Sequence, residues 1–517
     1  MSCPASLGRA RAWLHPINPI NQQLDFCCRN FQNQQLVLPI VINFYSQWRA
    51  RTLPIQGLQE SLEGLLLNEH LLQLIWQHQR IQREQLTTVD GSPLRILHPG
   101  FWNHESGPDF RDAIVQFGSA PAVSGDVEID LCPQGWHSHG HDINPNYRRV
   151  ILHVVWDADA KNAPVLPTLS LKSILDAPLT ELDHWLSNGA LESIAPGLAG
   201  QCCAPLQDLP TDLWREILRQ AAQVRLQTKA VQFQARAREV GWEQALWEGL
   251  FGALGYKHNI WPMRRLAELI SFVRSENGAG VIELQARLLG LSGLLPHDLL
   301  PRRRSSGDYL RQLWDIWWRE REAFSSLVLP QAMWRLGGLR PANHPQRRLA
   351  LAAHWLNTRD WPAKLEAWFR SSIPDKQLLS SLTEVLQVPC DGFWSWHWTL
   401  GSRRMKAPQP LLGPARATDL AVNVILPWFW MRAVAGKNDR LQEAAEHRYF
   451  IWPKAQDNAV LRLARQRLFG GAKASEIGTA AAQQGLLQIV RDFCQHSNAL
   501  CENCRFPELV RKLRSSL

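Results

Sequence analysis

The stretch "GPDFRDAIVQFGSAPAVSGDVEIDLCPQGWHSHGHD" spans Gly107–Asp142 and decides how the rest of the chain is read. "FRDAIVQFG" and "GDVEIDL" alternate apolar and polar residues with the period of a strand, and "SAPAVS" between them is turn-like. The spacing predicts a β-hairpin. In the second strand the alternation puts Asp126, Glu128 and Asp130 on one face and Val127, Ile129 and Leu131 on the other. Asp109, directly after Gly-Pro at the start of the first strand, would then come close to Glu128 across the hairpin. His137, His139 and His141 follow within a few residues. Carboxylates aligned on one strand face repel one another unless solvent or a cation relieves them. The plainest reading is an edge strand with an acidic, solvated face. The neighbouring Asp109 and the histidines favour a cation.

Working outward, "LQESLEGLLLNEHLLQLIWQHQRI" (Leu58–Ile81) carries apolar residues at helical spacing and predicts one long amphipathic helix. "VDGSPLRILHPG" offers a turn at Asp90-Gly91 and a strand over 94–98. "YRRVILHVVWD" (Tyr147–Asp157) is a nearly continuous β-branched run, as expected of a strand buried on both faces, and "VLPTLSLK" adds another. Helix, three strands, a short connection and a buried strand make an α/β domain with a mixed sheet over residues 45–205. Residues 1–44 are Asn/Gln-rich without periodicity and read as a loose extension. After Pro205 the pattern turns helical, starting at "TDLWREIL" with a Thr or Asp cap, and stays so over 206–517. No fixed-period repeat is present, so the fold class is α+β rather than a solenoid.

Composition narrows the functional classes. The 517 residues include 24 tryptophans, which imply large helix anchors or surfaces on which planar ligands stack. A net charge of +9 allows an anionic partner such as nucleic acid without requiring one. The ten cysteines are scattered, unlike a secreted disulfide framework, and no apolar run is long enough to span a membrane. These features predict a cytoplasmic protein with no membrane partner; the oligomeric state has no signature. There is no P-loop, dinucleotide fingerprint or Gly-x-Ser-x-Gly elbow, which argues against nucleotide hydrolases, dehydrogenases and lipases.

Hard oxygen donors from two adjacent strands suit Mg2+ or Mn2+, and Asp109, Asp126, Glu128 and Asp130 are the candidate ligands. His139, His141 and His153 are candidates for a general base, or for ligands that would shift the site toward zinc. Pro108-Asp109, the hairpin and Glu128-Ile129 resemble the motif of the restriction-endonuclease-like superfamily, Pro-Asp followed by (Asp/Glu)-x-Lys. That resemblance implies a metal-dependent nuclease fold. Asp130 stands in the lysine's place, so a histidine or a lysine from elsewhere must position the attacking water if the site cleaves. A broader resemblance runs from about Leu58 to the C-terminus. "TTVDGSPLRILHPGFWNHESGPDFRDA", "GDVEID", "WHSHGHDINPNYRRVILHVV", "LGYKHN", "RPANHPQRRLA" and "QQGLLQIVRDFC…CENC" look like the bacterial family catalogued as domain of unknown function 2851. That family implies no mechanism.

Two further groups stand out. "CQHSNALCENC" sets Cys494, Cys501 and Cys504 at a spacing suited to zinc or an iron–sulfur cluster, with Cys202, Cys203, Cys390 or His496 as the fourth ligand. The layout resembles that of RecB-like nucleases in which a distant cysteine joins a C-terminal trio; reduced packing cysteines are the alternative. "RLGGLRPANHPQRRLALAAHWL" brings Arg340, Arg347 and Arg348 to a helix start, where they are candidate phosphate ligands or parts of a capped loop. Three functions remain open: a metal-dependent phosphodiesterase acting on DNA or RNA, a non-catalytic nucleic-acid or protein-binding scaffold with a degenerate nuclease-like domain, and a zinc-dependent small-molecule hydrolase.

Overall fold

Seven strands form one mixed sheet in the computed structural model: β1 (Leu86–Thr87), β2 (Pro93–His98), β3 (Phe101–Trp102), β4 (Phe110–Phe117), β5 (Val123–Asp130), β6 (Val150–Val155) and β7 (Thr168–Ser170). The structure describes residues 43–52 and 67–515 apart from 84–85, 104–106, 159–165, 180–181, 183–185, 187–198, 257, 275–278, 297–303, 471–476, 495–500 and 502–503. The predicted N-terminal extension lies outside the described residues up to position 42.

The sheet order is β1-β2-β4-β5-β6-β7, with β3 pairing β4. β4 and β5 form the predicted antiparallel hairpin, in which Phe110 faces Val127. β6 then runs parallel to β5, matching Glu128 to His153 and Asp130 to Val155, and β7 continues parallel to β6. The connection from β5 to β6 holds one short helical turn at Gly135–Ser138. The β-branched run in β6 is buried as expected, between two parallel neighbours.

Three expectations change in detail. The helix expected over 58–81 is observed at Glu69–His78, capped by the Asn68 side chain on the Leu71 amide and ended by Gln79 in a left-handed conformation. Its predicted first part, 58–66, lies outside the described residues. The carboxylate strand stops at Asp130, leaving Leu131 exposed beyond it. More consequentially, the acidic face is not solvated: Asp126, Glu128 and Asp130 are 4%, 6% and 1% exposed. Helix Glu69–His78 packs against β5, and β6 closes the strand's other edge.

The remainder is helical, led by the 30-residue helix Thr211–Val240, whose cap is Pro210 rather than a side-chain oxygen of Thr or Asp. The sheet is tied to this region by Arg83–Glu268 at 2.6 Å, by Trp261 donating to the Leu97 carbonyl, and by the Arg335 guanidinium 3.9 Å above Phe101. By its contacts the chain divides after Val41, and sheet and helices together form one compact unit. The tryptophans act chiefly as anchors: Trp76, Trp214, Trp247, Trp355, Trp361, Trp394, Trp430 and Trp452 are essentially fully buried. Among the described residues no helix is long and apolar enough to cross a membrane.

Candidate metal centre

β5 ends with three imidazoles around one carboxylate. His153 on β6 places Nε2 2.9 Å from Asp130 Oδ2, and His139 places Nδ1 3.1 Å from Asp130 Oδ1. His141 Nδ1 lies 3.5 Å from Glu128 Oε1 and 4.0 Å from Asp130 Oδ2. The parallel register explains His153, because a residue paired with Glu128 projects on the same side of the sheet. His139 and His141 arrive through the helical turn Gly135–Ser138. That turn must pass close to the carboxylate. A β-carbon on Gly135 would stand 2.5 Å from Asp130 Oδ1, so only glycine leaves the carboxylate in place.

Donor atoms of Asp130, His139 and His141 lie within 4.8 Å of one another, close enough to share one ion. His141 is 8% exposed, and among the described residues its Nδ1 has no hydrogen-bond partner. It faces the Glu128 and Asp130 oxygens. The Tyr147 ring stacks on His141 at 4.0 Å, and Trp136 meets it edge-on at 5.4 Å. Burial holds the His141 imidazole below its ordinary pKa, keeping it neutral and able to ligate.

Asp109 does reach Glu128, but in a bracing role. The Asp109 amide donates to Glu128 Oε2 at 3.0 Å, and the Ile129 amide donates to Asp109 Oδ2 at 3.1 Å. Gln73 Nε2 donates to the other oxygen, Oδ1, at 2.7 Å. Desolvation pushes the Asp109 carboxyl up to about 6, against the pull of the Gln73 and Ile129 bonds. Glu128 is pushed up to about 9, first by burial and then by the Asp109 charge. Burial and the neighbouring charge together oppose ionising both carboxyls at neutral pH.

Asp126 stands apart. It accepts from the Asp112 amide at 3.1 Å within the hairpin's irregular register and so supports the backbone. His137 pairs with Asp142 on the surface at 3.0 Å, away from the donor group. Gln73, Gly135 and Tyr147 were not singled out from the sequence. Only Gly135, between a strand end and the histidines, left any trace there. The Tyr147 hydroxyl is raised to about 12 by burial and by the carboxylates of Glu128, Asp109 and Asp130.

Two of the three arginine candidates are buried. Arg347 is 1% exposed, and its guanidinium donates to the carbonyls of Trp394, His397 (2.9 Å), Gln409 (2.9 Å) and Pro410 (3.0 Å). Arg348 is 4% exposed, donating to the Leu411 carbonyl at 2.6 Å and Asn343 Oδ1 at 2.9 Å. Both groups tie interhelical loops together from buried positions. Arg340 stays exposed on the loop before them.

The sequence profile of the family described as protein of unknown function, DUF2851, matches residues 69–456. The chain belongs to the DUF2851 family. No curated protein and no solved structure matches the chain. The DUF2851 match spans the whole sheet, the Asp130 donor group and most of the helical region, and it ends before the cysteine-bearing tail.

Proposed function

We propose that this DUF2851 protein is a divalent-metal-dependent phosphodiesterase acting on DNA or RNA. The observation that carries the reading is the convergence of Asp130, His139 and His141 on one point, with the buried Glu128–Asp109 pair beside it. Asp130, His139 and His141 would hold the ion, and the two imidazoles favour Mn2+ or Zn2+ over Mg2+. Such an ion stabilises charge developing on a phosphoryl oxygen and acidifies water. Glu128, held neutral by burial and by Asp109, would serve, once ionised, as the base that takes a proton from the attacking water. Asp109 fixes the Glu128 carboxylate through its amide, and His153 fixes Asp130.

A nucleic-acid substrate is supported by the Pro108-Asp109…Glu128 pattern, by the net charge of +9, and by exposed Arg148 on the connection that carries the histidines. In this reading a histidine–carboxylate group stands in for the motif lysine. A cytoplasmic setting fits the scattered cysteines. The same imidazole-rich donor set supports a second reading, a zinc-dependent hydrolase of small molecules. A binding scaffold has less support, because burying Asp109 beside Glu128 is costly unless a cation uses the pair.

The test is cleavage of plasmid DNA, single-stranded DNA and RNA with Mg2+, Mn2+ or Zn2+, alongside Asp130→Asn and His141→Gln. We expect Mn2+- or Zn2+-dependent cleavage that falls at least about 100-fold in both variants, the scale of losing a metal ligand. Undiminished nucleic-acid binding with no cleavage under any ion would overturn the enzyme in favour of the scaffold.

A further inference from the structure

Four cysteines from two distant parts of the chain lie near one another in the helical region, more widely spaced than the donor atoms at Asp130. Cys202 immediately precedes the short helix Cys203–Gln207, and Cys494 closes a π-helical turn at Val490–Cys494. Cys501 and Cys504 lead into the last helix, Phe506–Ser515. Cys202 and Cys494 sit in one apolar cluster with Phe493 and Phe506, and Cys504 packs against it. A β-carbon on Gly200 would lie 3.4 Å from Cys202 Sγ and 3.5 Å from Cys501 Sγ, so those sulfurs are no further apart than the two distances combined. Cys494, Cys501 and Cys504 all lie close enough to Cys202 to act on it, and Cys501 and Cys504 close enough to act on Cys494.

The other sequence candidates for a fourth ligand fall away. Cys203 points elsewhere, accepting from Gln207 Nε2 at 3.5 Å, with its sulfur 3.3 Å from where a Gly470 β-carbon would stand. Cys390 is exposed, and His496 lies outside the described residues.

Ordinary packing cysteines need no special backbone and no charged neighbour. Here Cys501 has φ +59°, uncommon outside glycine, and Cys494 ends a π-helical turn, a feature frequent at functional sites. Arg467, itself 1% exposed, donates from Nη2 to Cys501 Sγ at 2.9 Å. This contact sets a buried positive charge directly beside the cysteine group. Among the described residues none of the four forms a disulfide.

We propose that Cys202, Cys494, Cys501 and Cys504 are the four thiolate ligands of a metal centre, a zinc ion or an iron–sulfur cluster, that clamps the C-terminal helix onto the start of the helical region. Each thiol gives up its proton on ligation, and Arg467 offsets part of the resulting negative charge. Bonds of about 2.3 Å around one zinc would draw the sulfurs to roughly 4 Å of each other, whereas a cluster holds them further apart.

The test is metal and acid-labile sulfide analysis, with visible absorption, on full-length protein purified anaerobically without chelator. It is repeated on Cys202→Ser, Cys494→Ser, the control Cys203→Ser, and Asp130→Asn to separate any ion of the sheet site. The expected result is either about one zinc per chain without colour, or iron with matching sulfide and a visible band. That metal should persist in Cys203→Ser and Asp130→Asn and be lost in Cys202→Ser and Cys494→Ser. Should the serine variants be insoluble, mercurial titration of the wild type reads the same site, with metal released as four thiols react. Wild-type protein with neither metal near stoichiometry, or metal fully retained in Cys202→Ser, would overturn the proposal. Loss of nuclease activity alone would not touch it.

Discussion

Replacing Glu128 by Gln probes the buried proton directly. Glu128 is 6% exposed and is pushed from an ordinary value near 4.5 up to about 9, first by burial and then by Asp109. A carboxyl whose pKa is raised on folding contributes full stability below its unfolded pKa and loses it as pH rises through the folded value. In metal-free wild-type protein that loss begins near pH 4.5 and is complete above about 9. Each pH unit in the window costs about 1.4 kcal/mol, so the ceiling at pH 8 is roughly 5 kcal/mol. Local relaxation and solvent bring this to on the order of 2–3 kcal/mol. Glutamine keeps the shape and an oxygen for the Asp109 amide but carries no proton to lose. In the presence of chelator, Glu128→Gln should therefore match the wild type at pH 5 and melt roughly 2–3 °C higher at pH 8, read by scanning fluorimetry. Saturating Mn2+ should erase the gap, because a cation favours the ionised carboxylate. Parallel melting curves from pH 5 to 8.5 would refute the reasoning.

Two further substitutions separate structure from chemistry. Gly135→Ala drives a β-carbon to 2.5 Å from Asp130 Oδ1 at a residue whose backbone suits alanine, so Mn2+ or Zn2+ affinity by calorimetry should fall about 10- to 100-fold with the fold intact; unchanged affinity would show that Asp130 is not a ligand. Arg347→Met strands the carbonyls of Trp394, His397, Gln409 and Pro410 and should cost on the order of 3–5 kcal/mol, seen as a lowered melting temperature. A variant of unchanged stability with weakened nucleic-acid binding would instead restore Arg347 as a phosphate contact.

Much of the sheet was legible because strand periodicity is local. The β4–β5 hairpin, the doubly buried β6 and the placement of Asp109 beside Glu128 all follow from alternation and turn residues within a short stretch. The helix on the sheet was read too long because its apolar spacing runs on past Asn68, whose side chain caps the helix and starts it. The donor group was only partly legible. The sequence marked Asp130, His139, His141 and His153 separately, yet put Asp109 and Glu128 first as ligands.

What the sequence determined by itself is therefore the α+β order and the concentration of carboxylates and imidazoles between Gly107 and Asp142. Periodicity and composition are properties of neighbouring residues, and they survive without any knowledge of packing. Which carboxylate the histidines gather around was decided by the parallel register of β5 and β6 and by the close pass of Gly135. Tertiary packing also buried Arg347 among carbonyls and set Cys202 beside a cysteine trio almost three hundred residues away. Those outcomes depend on contacts between segments far apart in the chain, where no local pattern encodes which side chains will meet.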